Sequence, residues 1–247
     1  MIILYDNKIK DATISATVEN PDYPFSSGLK DSRLSRIGKT IDVNDQAILF
    51  EFKADITSEY AVILKHNFTS SATVKLQANT SDDWTTPPLD KNFIAYGNSL
   101  VCKVIGEYAF WRIFIDDPTN TATGLEIGYV FLGEALTMPG FNRGIIIPNK
   151  SNSISQKSTS GQLYGDRRLN YKSADVVFSG VTETERQEIK TFWNTVDVVQ
   201  PFTLMIWEDD LDVEEPIYCS LTKELEWNKL DIFGLLWSLN LSFEEVF

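Results

Sequence analysis

The sequence predicts a mainly β protein, with a β-sandwich over residues 1–140, a linker or long loop over residues 141–162, and a smaller α+β domain over residues 163–247. Three observations predict it. Within residues 108–133, Trp111, Ile113 and Ile115 alternate with Phe110, Arg112, Phe114 and Asp116; after a polar loop, Leu125, Ile127, Tyr129 and Phe131 alternate with Glu126, Gly128, Val130 and Leu132. Strand side chains point to opposite faces in turn, so each run offers one apolar face and one mixed face. Further β-like runs, separated by turn chemistry, precede residue 140, and no convincing helix precedes residue 180. Finally, NKSNSISQKSTSGQ at residues 149–162 holds almost no core material, as linkers and long loops do.

Taken in order, ILY and DATISATV supply the opening strands within residues 2–18, and a turn-rich stretch follows at Asn20-Pro21-Asp22-Tyr23-Pro24 and Ser26-Ser27-Gly28. Strands are expected at residues 46–54 (QAILFEFKA), 60–66 (YAVILKH), 72–78 (ATVKLQA) and 92–104, ahead of the pair at 108–133. In the second domain Thr182 is placed to cap a helix over residues 182–196, with Glu185 completing a capping box. Ile189, Phe192, Trp193 and Val196 form its apolar stripe. Strands at 174–178, 202–207, 217–221 and 236–243 flank the helix; in the last, Trp237, Leu239, Leu241 and Phe243 alternate with Ser238, Asn240, Ser242 and Glu244. No internal repeat is visible.

Composition limits the function classes. Hydrophobic residues make up 43% and aromatics 12%, enough for a real core. Against 22 Lys+Arg stand 35 Asp+Glu, a net charge of −13, split as −6 over residues 1–140 (12 basic, 18 acidic) and −7 over residues 141–247 (10 basic, 17 acidic). With no basic domain, specific nucleic-acid binding is not expected, and a polyanion would slide past the surface. Cys102 and Cys219 sit in apolar, strand-like contexts and read as buried small hydrophobes. Two cysteines and one histidine do not make a usual structural zinc site. MIILYDNKIK lacks the apolar core of a signal peptide, and no run long enough to span a membrane occurs. The four N-x-S/T sequons, at Asn67, Asn79, Asn149 and Asn240, therefore read as accidents of composition. The expectation is a soluble protein made in a cytoplasm.

No motif singles out a catalytic group, metal or cofactor. His66, the sole histidine, ends an apolar strand, where bonding a neighbouring loop is the plainer reading than general-base work. The acidic run from Glu208 to Glu215 lacks the glycine and the bidentate glutamate of an EF-hand loop. Asp116, Asp117 and Asn120 form an oxygen-rich loop that turn chemistry alone explains, yet with Trp84 they are the candidate glycan contacts. Trp84 could stack on a sugar ring or anchor its loop against the sandwich. Arg143, Arg167, Arg168 and Lys172 form a basic cluster; with the acidic Asp209, Asp210 and Asp212 they are the candidate subunit interface.

Several of these segments resemble tailed-bacteriophage tail-tip proteins. Gly28-Leu29-Lys30-Asp31-Ser32-Arg33-Leu34-Ser35-Arg36 resembles their N-L-x-D-x-R-L-S-R opening, and HNFTSSATVKL at residues 66–76 resembles the segment that follows it. FWRIFIDDPTNTATGLEIGYVFLGE is similar to their Y-W-R-I-x-I-x-D-x-x-N-x-x-G-x-x-E-I-G-x-x-F-L-G run, with Phe110 in the aromatic position. Ser160-Gly161-Gln162-Leu163-Tyr164-Gly165-Asp166-Arg167-Arg168 resembles the S-G-x-x-Y-G-D-x-R start of their second domain, and the order holds over roughly residues 20–247. The resemblance implies a discoidin-type, galactose-binding-like jelly roll followed by a domain akin to those of tail-tube and hub rings. It also implies a distal tail or baseplate-hub protein at the virion tail tip, made in the bacterial host cytoplasm. Such a protein would form a ring, six-fold or three-fold, between the tail tube protein and the baseplate hub and tail fibre proteins. It implies no catalytic residues, no cofactor and no membrane insertion. The alternative is a carbohydrate-binding adhesion protein contacting host surface glycans.

Overall fold

A computed structural model describes residues 1–140, 147–206, 215–230 and 236–247. In chain order the strands are β1 (Ile2–Leu4), β2 (Thr13–Ala16), β3 (Gly38–Lys39), β4 (Gln46–His66), β5 (Thr73–Asn79), β6 (Leu89–Asn92), β7 (Ile94–Tyr96), β8 (Ser99–Asp116) and β9 (Glu126–Gly133). They continue as β10 (Leu136–Thr137), β11 (Asn149–Ser151), β12 (Ile154–Lys157), β13 (Leu163–Asp166), β14 (Asn170–Val181), β15 (Phe202–Met205), β16 (Ile217–Leu221), β17 (Glu226–Lys229) and β18 (Trp237–Glu245). Two α-helices are present among the described residues, the single turn α1 (Phe25–Gly28) and α2 (Glu183–Val196). The protein is mainly β.

The first sheet has the order β3-β9-β4-β8-β5-β6, with β2 added to β4 and β7 to β8. The two runs expected as separate strands at 46–54 and 60–66 are one 21-residue strand, β4, and β8 likewise continues for 18 residues. Both bend. The amino-terminal half of β4 pairs with β2 and with the carboxyl-terminal half of β8; its other half pairs with β9 and the start of β8. Register shifts between Glu51 and Ile56 and between Ser58 and Tyr60 mark the bend. The shared strands fold the sheet into two layers around one core, a β-sandwich. Trp111, Ile113 and Ile115 point into that core fully buried, with Phe50, Ile63 and Leu76 beside them.

The second sheet has the order β10-β1-β15-β16-β18-β14-β11, with β17 on β18. Its amino-terminal strand comes from the far end of the chain: Ile2, Ile3 and Leu4 lie opposite Met205, Leu204 and Thr203. The apolar stripe of α2 packs against this sheet. Thr182 caps this helix, its hydroxyl accepting from the Glu185 N–H while the Glu185 carboxylate accepts from the Thr182 N–H, so the capping box is closed. Ile189, Phe192 and Val196 are buried against Phe178, Phe202 and Leu241.

A third cluster joins the two sheets, and strand alternation explains how. Ile3 faces the helix, whereas Ile2 and Leu4 face the sandwich and meet Tyr60, Val62, Tyr129 and Phe131. Met205 and Tyr218 come from β15 and β16, and the Tyr129 and Tyr218 rings meet at a tilt of 48° with centroids 4.8 Å apart. β9 is therefore buried on both faces from Ile127 to Gly133: the run expected to be mixed gives Val130 and Leu132 to the sandwich core, and the expected apolar run gives Tyr129 and Phe131 to the joint. Gly133 fits because a Cβ there would meet the Asp6 backbone oxygen at 2.6 Å. The Asn7 side chain donates to the Val130 carbonyl at 2.7 Å and accepts from the Leu132 N–H at 3.1 Å, fastening the crossing segment to β9.

Residues 149–162, expected as linker or long loop, contain β11 and β12. Among the described residues β12 pairs only with β13, Ile154 opposite Asp166 and Lys157 opposite Leu163, in a two-stranded hairpin separate from both large sheets. The turn is closed by the Ser158 N–H donating to the Gln162 carbonyl at 2.8 Å, and Gly161 takes φ +87° there. All eight strand residues of this arm are exposed.

Candidate functional site

The groups with intrinsic chemistry are occupied or buried. His66 ends β4; its Nδ1 accepts from the Phe68 N–H at 3.2 Å and its ring stacks on Phe68 at 4.5 Å. Burial holds its pKa below the ordinary value, against a smaller opposing pull from Asp117. The basic nitrogen is thus spent on the turn after β4. Cys102 and Cys219 are buried and free; burial pushes the Cys102 thiol up to about 11 and the Cys219 thiol well above its ordinary value. Neither is a thiolate nucleophile near neutral pH. Among the described residues no group of three or more His, Cys, Asp or Glu is arranged to hold a metal ion.

The candidate glycan contacts are not brought together. Trp84 lies in the loop leaving β5 beyond Asn79, whereas Asp116–Asn120 follows β8 beside Thr73, at the other end of β5. From Thr73 to Asn79 is roughly 20 Å at the usual strand rise. Asp117 is also unavailable to a ligand, because it is fully buried. Its carboxylate accepts from the Thr69 N–H at 2.8 Å, from the Thr69 hydroxyl, and from the Asn120 amide at 2.9 Å. Asn120 also donates to the Asn67 carbonyl at 3.0 Å. Asp117 and Asn120 therefore clasp two loops, and Asp116 only accepts from the Asp45 N–H at 3.4 Å.

Trp84 is half-buried and has a partner that the sequence reading missed. The Arg112 guanidinium lies 4.4 Å from its ring centroid, and the indole N–H donates to Asp82 at 2.6 Å. Arg112 also donates to Gln77 at 2.7 Å, and Gln77 donates to Asp90 at 3.2 Å. The indole thus sits in a polar network on the outer face of β5 and β8. The presence of Arg112 on that mixed face was the available signal, but only the strand register places it under a residue 28 positions away in the chain.

Of the candidate interface residues, Arg167, Arg168 and Lys172 cluster at the base of the arm, and Arg143, Asp209, Asp210 and Asp212 lie outside the described residues. Arg167 and Arg168 are exposed immediately after β13; Arg168 pairs with Asp166 at 2.9 Å. Lys172, on β14, pairs with Asn149 of β11, and its N–H donates to the Glu245 carboxylate at 2.8 Å. Along the arm Ile154, Leu163, Tyr164 and Leu169 expose 46%, 72%, 59% and 71% of their surface, a concentration of exposed apolar groups.

No protein-family model matches the chain, and no curated protein matches it. Solved structures resemble about half of it. CpGH89CBM32-5 from Clostridium perfringens, in complex with GalNAc-beta-1,3-galactose, is 12% identical and aligns over 52% of this chain and 100% of its own, with a TM-score of 0.41. The family 32 CBM from C. perfringens NanJ, in complex with galactose, is 12% identical over 53% of this chain and 98% of its own, with a TM-score of 0.41. Chitosan-binding module 1 of a chitosanase/glucanase from Paenibacillus sp. IK-5 is 12% identical over 53% of this chain and 100% of its own, again at 0.41. Likenesses this distant leave the sandwich resting on its own strand order and core, and they assign no ligand to this chain.

Proposed function

We propose that this protein is a non-catalytic structural subunit that works by assembly, with the arm entering a neighbouring molecule and the sandwich presented outward. The observation that supports it is the arm: a two-stranded hairpin with every strand residue exposed. An isolated hairpin is marginal in water, and a third strand or a packed face is what normally stabilises one. The resemblance at residues 20–39, 66–76, 110–134 and 160–168 adds the finer reading. This is a ring at the tail tip of a long-tailed phage, six-fold in preference to three-fold, joining the tail tube to the baseplate hub and fibres. A chain of net charge −13 suits a ring through which DNA passes without sticking. Native mass spectrometry of the purified chain tests the assembly reading: a closed oligomer is expected, and a strictly monomeric species at all concentrations overturns it.

One observation favours a second reading, carbohydrate binding by the sandwich. Trp84 keeps part of its indole open beside Arg112, Gln77 and Asp82, an aromatic surface with polar groups around it. Sugar-array binding that Trp84→Ala abolishes would promote it, and an array with no binder would remove it.

A further inference from the structure

We infer that the arm of one molecule docks on the acidic body of a second copy of this chain, in a head-to-tail contact held largely by charge. This rests on the assembly reading and adds to it the partner and the chemistry of the contact. Between β11 and β14, over residues 152–169, the chain carries Lys157, Arg167 and Arg168 against the single acid Asp166, a local charge of +2. The whole chain is at −13, so the remainder carries −15. The molecule is an acidic body with a basic projection.

Among the described residues the geometry keeps the two apart within one molecule. β12 and β13 pair only with each other, and no arm residue belongs to any of the three core clusters. Lys157 and Arg167 make no ion pair among the described residues, and the Arg168 guanidinium pairs with Asp166 of the arm itself. Opposite charges held apart in one molecule attract between two, and steer the arm of one towards the body of the next. Apolar contact adds to this: the pairs Ile154–Asp166 and Gln156–Tyr164 are two residues apart, so Ile154 and Tyr164 share one face of the hairpin. Donor and acceptor surfaces differ, which makes the contact heterologous, and such contacts close into rings when the rotation between copies permits. A nucleic acid also suits basic side chains, but a body at −15 repels it.

The test is native mass spectrometry and sedimentation of the full chain and of a Lys157→Glu/Arg167→Glu/Arg168→Glu variant, at about 50 mM and about 500 mM salt, which brackets strong and weak screening. A fourth protein, Tyr164→Ser, probes the apolar part. The wild-type oligomer should loosen with salt, and the charge-reversed chain should be monomeric, with a dissociation constant raised roughly a hundredfold or more. Its circular dichroism and melting should match the wild type, because the substituted side chains are exposed. Tyr164→Ser should weaken association without changing its salt dependence. An oligomer that survives charge reversal and ignores salt overturns the inference and leaves the assembly reading standing. A wild-type monomer at every concentration overturns both. Retention of duplex DNA by the wild type, lost on charge reversal with no change in oligomer, assigns the arm to nucleic acid and also overturns the inference.

Discussion

The sandwich and the arm are both antiparallel β-structure, and they differ in what covers them. In the sandwich β4 and β8 run for 21 and 18 residues and bend so that both halves enclose one apolar core. In the arm two four-residue strands pair with each other alone and expose every residue. Backbone hydrogen bonding is available to both; only burial separates them, and burial supplies most of the free energy of a fold. The sandwich thus accounts for its own stability, whereas the arm, on the proposed assembly, would gain its cover from another molecule. Substitutions should divide the same way, with large effects on unfolding in the cores and large effects on association in the arm.

The largest expected effect on stability is at Trp111, which is fully buried and whose indole N–H donates to the Tyr108 carbonyl at 2.9 Å. Trp111→Ala should cost about 3–5 kcal/mol in denaturant unfolding. A smaller loss would mean the sandwich core is less closed than described. Next is the joint. Leu4 is fully buried between the two sheets, and Leu4→Ala should cost about 2–5 kcal/mol and lower the melting of both sheets together. Two separated transitions in calorimetry, with only one moved by the substitution, would break the claim that the third cluster joins the sheets into one unit.

These contrasts also mark where the sequence was legible. The alternation of Trp111, Ile113 and Ile115 was readable because one face of β8 meets the core, and the helix was readable because its capping box and apolar stripe are local. What depends on a distant partner was not. ILY reads as the first strand of the sandwich, yet β1 belongs to the other sheet; its unbroken apolar run was the sign of a strand covered on both faces. The polar stretch between Phe52 and Tyr60 looks like a break, but β8 stays paired across it through bulges. The arm reads as linker because strands without a core need no apolar period. Of the candidate sites, the basic cluster at Arg167, Arg168 and Lys172 was visible as charge, whereas the clasp role of Asp117 requires knowing that Thr69 and Asn67 lie beside it.

Smaller effects refine the comparison. Thr182→Ala removes the hydroxyl of the capping box and should cost about 0.5–2 kcal/mol, read by denaturant unfolding, with association unchanged. His66 gives a pH signature confined to the sandwich. Burial lowers its pKa in the folded chain, so on unfolding it regains its ordinary value of 6.5 and takes up a proton more readily. Stability from this residue is complete above pH 6.5 and falls as the pH drops through that value towards the folded pKa. A His66→Phe chain should melt with less pH dependence between about pH 7 and 5; an unchanged profile would show that the imidazole is not held neutral. Smallest of all, Leu163→Ser in the arm should leave monomer stability within about 0.5 kcal/mol of wild type.

The most direct measurement is the mass of the wild-type chain in native solution, read as concentration rises at low salt. The account predicts a discrete closed oligomer that loosens as salt is added. A chain that stays monomeric throughout, with its arm intact, would contradict it.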